Sequence, residues 1–424
     1  MEVNVMSNKD TALAQPLKIG SRIAKNRFAI QPMECADSRP DGGFSERSIE
    51  RYSNLFAGSA GVIVFESITL QRDFIARTNQ LSLNINDKAS IQEWADFIKK
   101  MKDINPDPLL IVQLTHSGEI SGGGEGRRMC VKPLYGFEGE LITDEYADDV
   151  IRTWAEASKI LYDCGADGVD LKLCHGYLGS QILRPYNDRE WKYGGSWENR
   201  KSWAVNMYDE VRKAVGDPNF IVGSKISIWE GIPGGQGSAG PDTAIIDLTE
   251  SIDLCKTIVE HGADFILQST GTPVHTCALH MPDRRKADDT YIHMTMAKIV
   301  KENVPKETAV IGSAYSVLNR GKNTLKAVCP EWNSLFHWGN YNIEHGYTDM
   351  IALGRQSLAD PKLPIKYLTD KEEEINWCVA CDCCAELLTQ QENVGCVVYN
   401  KPYAEVLKEC RKNKGRVTET QIGG

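Results

Sequence analysis

The sequence has no basic excess: 48 Lys and Arg stand against 58 Asp and Glu, a formal net charge of −10. Nucleic acid is therefore not expected as a partner, because phosphate binding needs clustered cations. Long hydrophobic runs are also missing. Gly61-Val-Ile-Val-Phe65 and Leu109-Leu-Ile-Val112 are of strand length, far short of the roughly 20 apolar residues that span a bilayer, so no membrane partner is expected. The segment Met1 to Asp10 lacks a basic stretch followed by an apolar one, which excludes a secretory leader and predicts a cytoplasmic chain. No G-x-G-x-x-G follows the first strand-like run, which counts against a doubly wound dinucleotide-binding sheet. No internal repeat is visible beyond a strand and helix alternation.

What is present suits a large folded core: 42% hydrophobic and 25% charged residues over 424 positions, the length of one α/β barrel with an added segment. Strand-like runs recur at 28–30, 61–65, 109–114, 168–172, 220–226, 264–267, 309–312 and 350–354. They are continuously apolar, as parallel strands covered on both faces should be. Amphipathic stretches at 91–101, 149–162, 199–215 and 247–260 alternate with them. Eight such units predict a (β/α)8 TIM barrel over residues 1–370, with a cysteine-rich extension over 371–424. The third unit carries an insertion, 117–148, whose Ser121-Gly-Gly-Gly-Glu-Gly-Arg-Arg128 reads as a surface loop or a lid.

In such a barrel the chemistry sits where strands end. Gly312-Ser313 and Gly354-Arg355 end strands seven and eight, where glycine-turn amides and a guanidinium can hold a phosphate. Lys172, His175 and Tyr177 follow strand four, and three polar side chains at a barrel mouth are hard to place in a core. Of the 13 cysteines, five crowd between 378 and 396, in Cys378-Val-Ala-Cys381-Asp-Cys383-Cys384 and Cys396. Cys378, Cys381, Cys384 and Cys396 are spaced to bind a [4Fe-4S] cluster, with four-cysteine structural zinc as the alternative. Cys383 is left over and, being adjacent to a ligand, could substitute.

The segments Gln31-Pro-Met33, Asp41-Gly to Glu46-Arg47, Gln113-Leu-Thr-His-Ser-Gly118, His175-Gly-Tyr-Leu178, Tyr193-Gly-Gly-Ser196 with Glu198-Asn-Arg200, Leu353-Gly-Arg355 and the cysteine cluster resemble the Old Yellow Enzyme family of FMN oxidoreductases. Within it the similarity is to the branch of 2,4-dienoyl-CoA reductase and trimethylamine dehydrogenase, and it runs from about residue 16 to 402. The resemblance implies that Pro32, Met33, Ser67 and Gln113 border the FMN ring. It implies that Gly312, Ser313, Gly354 and Arg355 hold the FMN phosphate. Lys225 stands where the family usually has an arginine beside the N1–C2 edge of the flavin. Tyr177 matches the family's proton donor, His175 a substrate-binding position and His275 a second catalytic histidine.

Two departures stand out. Lys172 replaces a histidine of the pair that grips the substrate carbonyl in many relatives; lysine acts as a point charge there. The branch's larger members continue into dinucleotide-binding domains, and this sequence ends at Gly424, so no FAD or ADP site is expected after the barrel. The implied activity is reduction of an activated C=C bond by hydride from FMN N5. The implied partners are a small unsaturated substrate (an unsaturated acid, enone or tetrapyrrole) and NAD(P)H or a separate electron-donor protein, with a homo-oligomer also open. Amine or alcohol dehydrogenation and a purely electron-carrying subunit are the rival functions.

Overall fold

The computed structural model describes residues 7–122, 127–134, 139–318 and 334–417, with side chains to 413. Its eight parallel strands are β1 Phe28–Ile30, β2 Val62–Thr69, β3 Leu109–Thr115, β4 Gly168–Leu171, β5 Ile221–Trp229, β6 Phe265–Thr270, β7 Ala309–Gly312 and β8 Met350–Leu353. They close into a barrel, with β8 pairing β1 through Ile351↔Phe28 and Leu353↔Ile30.

Strand residues alternate between two cores. Ala29, Val64, Ile111, Leu267 and Ile311 fill the barrel interior, joined from below by Ile19 and Ala24 of an N-terminal hairpin. Phe28, Ile30, Phe65, Val112, Val222 and Ile351 face outward against the helices. Both faces are buried, which is why the strands read as continuous apolar runs. Gly223 in β5 is required by packing, since a Cβ there would lie 2.3 Å from the Phe265 ring.

The surrounding helices are α1 Glu46–Ala57, α2 Lys88–Ile104, α3 Asp144–Asp163, α4 Trp197–Val215, α5 Thr249–Glu260, α6 Asp289–Asn303 and α7 Leu335–Glu344. Ser45, Asp87, Thr143, Ser196 and Ser334 accept hydrogen bonds from first-turn amides, satisfying donors that the helices cannot. Such polar caps lie outside the apolar periodicity, so α2 to α4 begin two to five residues before their amphipathic stretches.

After β8 the chain makes the short helices Arg355–Ala359 and Leu363–Leu368, the cysteine loop, and helices Cys383–Thr389 and Lys401–Val417. Leu387, Val394 and Leu407 pack on Cys35 of the loop after β1, and the Val394 amide donates to the Cys35 carbonyl at 2.8 Å. The extension thus seats directly on the barrel mouth. In the insertion, residues 123–126 and 135–138 lie outside the described residues, as does Cys329. On either side of the first gap, Gly122 donates to the Ile75 carbonyl (3.0 Å) and Arg127 to that of Asp73 (2.7 Å). No helix among the described residues is long and apolar enough to cross a membrane.

Candidate active site

The C-terminal ends of the strands carry a continuous polar network. Lys225, buried in β5, donates to Gln31 Oε1 at 2.7 Å, and Gln31 Nε2 donates to Ser313 Oγ at 2.8 Å. Ser313 in turn donates to the Gln268 carbonyl. On the other side Ser67 donates to Gln113, whose Nε2 donates to Asp170 Oδ2 at 2.6 Å. Asp170 Oδ1 also accepts the Lys225 amide at 2.7 Å. Burial pushes the Asp170 carboxyl up to about 6, against the hydrogen bonds from Gln113 and Lys225. Ser67, Gln113, Lys225 and Ser313 are therefore brought together from four elements or their loops, with Gln31 bridging Lys225 to Ser313 and Asp170 bridging Gln113 to Lys225.

Lys172 donates to Ser67 Oγ at 2.7 Å and to Glu34 Oε1 at 3.2 Å. Its ammonium lies 3.3 Å from the centre of the Tyr177 ring, close enough for strong cation–π attraction. The Tyr177 hydroxyl reaches Glu34 Oε1 at 2.8 Å and Oε2 at 3.0 Å. Burial, and then the Glu34 charge, push the phenol well above its ordinary value.

His175 occupies a left-handed conformation, φ 67°, followed by Gly176 at φ 76°. Its Nε2 is 2.8 Å from Ser269 Oγ, and its ring meets His280 edge to face with centroids 4.2 Å apart. Burial lowers both imidazoles well below the usual histidine value, and the ammonium groups of Lys225 and Lys172 push the same way. Both rings are neutral at pH 7, able to donate one hydrogen bond each. His275 precedes His280 in the same loop and lies in the field of Arg184 and Glu230.

Pro32 and Met33 follow β1, and Gly354 lies against Met33 and Gln31: a Cβ on Gly354 would meet Met33 Sδ at 3.3 Å. Ser316 Oγ accepts the amides of Gly354 and Gln356, both at 3.1 Å, tying the loops after β7 and β8. Arg355 is buried, paired with Asp382 and donating to the Pro282 carbonyl. Asp382 belongs to the cysteine loop, so the corner expected to hold a phosphate is bonded to the extension. In that loop Ala380 and Asp382 are left-handed, φ 48° and 58°, which turns the chain between the cysteines.

The family model for the NADH:flavin oxidoreductase / NADH oxidase family matches residues 12–316. The chain belongs to this family. Cinnamate reductase of Clostridium sporogenes is 27% identical over 412 residues, covering 93% of this chain and 58% of that protein. NADPH dehydrogenase of Bacillus subtilis is 23% identical over 359 residues, covering 82% of this chain and 92% of that one. A solved 2-naphthoyl-CoA reductase complex shares the fold, with TM-score 0.76 and 18% identity over 94% of this chain and 58% of its own. The chain spans just over half the length of several relatives that it matches.

Membership places the chain among flavin-dependent oxidoreductases, and the donor set at the mouth fits FMN. Lys225 is a buried cation whose ammonium donates to the neutral side-chain amide of Gln31, and burial lowers its pKa. Such a site gains from an anion, which a reduced flavin ring supplies. In the extension, Cys378 lies within electrostatic reach of Cys381 and Cys396, and Cys384 of Cys378 and Cys381. Among the described residues no three His, Cys, Asp or Glu side chains already converge as metal ligands. The four thiols and the turns between them, rather than a closed ligand geometry, are what fit a cluster.

Three members of the site carry no sequence signal of their own. Glu34 is one residue past the Met33 motif, His280 lies in the loop after β6, and Arg184 anchors the loops from beneath. Arg184 bonds Glu119 at 2.9 Å and Glu230 at 2.8 Å.

Proposed function

We propose that the chain is an FMN-dependent ene-reductase that reduces an activated C=C bond. The observation that carries this reading is the convergence of a phenol, an ammonium and a neutral imidazole, Tyr177, Lys172 and His175, beside the strand ends that bear Lys225, Gln113 and Ser67. When bound, FMN supplies the hydride. Pro32, Met33, Ser67, Gln113 and Lys225 would border its ring, and Gly312, Ser313, Gly354 and Arg355 its phosphate.

Tyr177 holds the proton that completes the reduction at the carbon next to the activating group. Lys172 and His175, with His280 against it, polarise that group by charge and by hydrogen bonding. Cys378, Cys381, Cys384 and Cys396 would hold a [4Fe-4S] cluster that passes electrons to the mouth, NAD(P)H or an electron-donor protein being the source. His275, on the same loop as His280 and in the field of Arg184 and Glu230, serves as the second catalytic histidine.

The test is anaerobic. Denaturation should release FMN, and the chemically reduced protein should be reoxidised by an unsaturated acid or enone. Tyr177→Phe should leave flavin content and flavin reduction nearly intact and slow reoxidation by roughly 10²- to 10⁴-fold, the usual worth of positioned proton transfer. Release of FAD, or unchanged reoxidation in Tyr177→Phe, would refute this reading.

A further inference from the structure

We propose that Glu34 is the positioning residue of the proton donor: its carboxylate binds the Tyr177 hydroxyl and the Lys172 ammonium in one triad and sets the ionisation of Tyr177. This rests on the reading of Tyr177 as the donor, but its geometry stands apart from that reading.

Glu34 reaches across the mouth from the loop after β1 to the loop after β4. Both of its oxygens lie within 3.0 Å of the Tyr177 hydroxyl. A phenol has one proton to give, so that proton is committed to Glu34 rather than to the space before the strand ends. Lys172 Nζ stands 3.2 Å from Glu34 Oε1, and Arg77 Nε 3.7 Å from Oε2. The Glu34 side chain is only 10% exposed. Burial opposes its charge, yet Lys172, Arg77 and the hydrogen bonds from Tyr177 and Lys172 outweigh that and keep the carboxyl below its ordinary value. It is a carboxylate at working pH.

A carboxylate there does two things. It orients the hydroxyl, and it favours the neutral phenol. For Tyr177 to act, its O–H turns from Glu34 to the substrate carbon; the O–H bond breaks and the C–H bond forms. The phenolate left behind lies beside Lys172, whose charge offsets it. A solvent proton arriving at Glu34 then passes to the Tyr177 oxygen and restores the phenol, with no change in electron count. Lys172, which replaces a member of the usual gripping pair, thus has a defined place as the cation that steadies both Glu34 and the transient phenolate.

A carboxylate that merely neutralised Lys172 would not set the phenol's titration. The charged and titratable groups facing Tyr177 are Glu34 from the loop after β1, Arg77 from the loop after β2, and Lys172 and Cys174 from its own loop. Glu34→Gln removes the one carboxylate among them and leaves the two cations, so Tyr177 should ionise at lower pH.

The experiment is an ultraviolet phenolate titration of the flavin-replete protein, with Tyr177→Phe subtracted to isolate Tyr177, repeated in Glu34→Gln and its Tyr177→Phe double variant. The expected result is a downward move of the Tyr177 ionisation by at least about one pH unit, a tenfold change in its ionisation constant. The alkaline limb of flavin reoxidation should move down with it. Glu34→Asp, which keeps the charge but withdraws it by one methylene, should move both by less, and it serves as the readout if Glu34→Gln folds poorly. An unmoved phenolate titration in both variants overturns the proposal. A moved titration with an unmoved reoxidation limb upholds the Glu34–Tyr177 coupling and instead removes Tyr177 as the donor.

Discussion

Arg184→Met should show what keeps the loops of the mouth in place. Arg184 is 3% exposed and bonds Glu119, also 3% exposed, and Glu230, which is wholly buried. Ser180 Oγ donates to Glu230 at 2.7 Å, and the Gln236 amide donates to it at 3.0 Å, so the loops after β3, β4 and β5 meet in this one ion set. Methionine fills similar volume but strands two carboxylates in a dry site. Breaking a buried ion pair from one side costs about 3–5 kcal/mol. The entropy of unfolding is about 2.1 cal/mol/K per residue; over 424 residues it is about 0.9 kcal/mol/K, so the melting midpoint should fall by about 3–6 °C. Calorimetry at fixed FMN concentration measures this without a shift from ligand mass action. Adding Glu230→Gln should recover part of the loss, because it removes one stranded charge while keeping an acceptor for Ser180. A midpoint within 1 °C of wild type, or a double variant no better than the single, would refute the assignment of the network as an unshielded ion set.

Two further outcomes are expected. Cys381→Ala should lose iron from anaerobically prepared protein while Cys383→Ala keeps it, because the Cys383 thiol turns to the Cys381 carbonyl and to Arg411; zinc without iron would point to a structural site. Asp170, ordinarily near 3.8 and here about 6, binds its proton more tightly folded than unfolded, so wild-type stability from this group is present at acid pH and lost as pH rises through about 4 to 6. The difference is worth about 3 kcal/mol, so Asp170→Asn should gain on wild type by up to that much between pH 4 and pH 7.5 in denaturant titrations, and a constant difference would sink the argument.

The strands were legible because a barrel strand is covered on both sides, leaving an uninterrupted apolar run in the sequence. Their mouth ends were less so. β2 runs on to Thr69 through a bulge at Glu66 and Ser67, and β5 runs on to Trp229 with Ser227 paired to Ser269, so polar residues lie inside the strands rather than beyond them. Lys172, His175 and Tyr177 are legible from where strand four stops, and Ser67, Gln113 and Lys225 through the family resemblance; all six lie at the strand ends. The role of Glu34 is not legible, because its partners Lys172 and Tyr177 are more than 130 positions away and no local spacing encodes such a pairing. The same holds for His280, which reaches His175 through a loop without periodicity, and for Arg355, whose partner Asp382 sits among cysteines that read as a separate module.

Seating the extension on the loop after β1 also fixes the order of events during synthesis. β1 finds its second neighbour only when β8 has been made, the Cys35 carbonyl finds the Val394 amide later still, and Asn8 near the N-terminus bonds Asp370 and Glu372. Contacts so distant along the chain form late and slowly, and a ribosome delivers their partners last. Neither the mouth nor the wall behind it exists while the first three hundred residues emerge. A closed mouth able to hold a flavin consequently waits for β8, and the sheet keeps an open edge until Met350–Leu353 has been made.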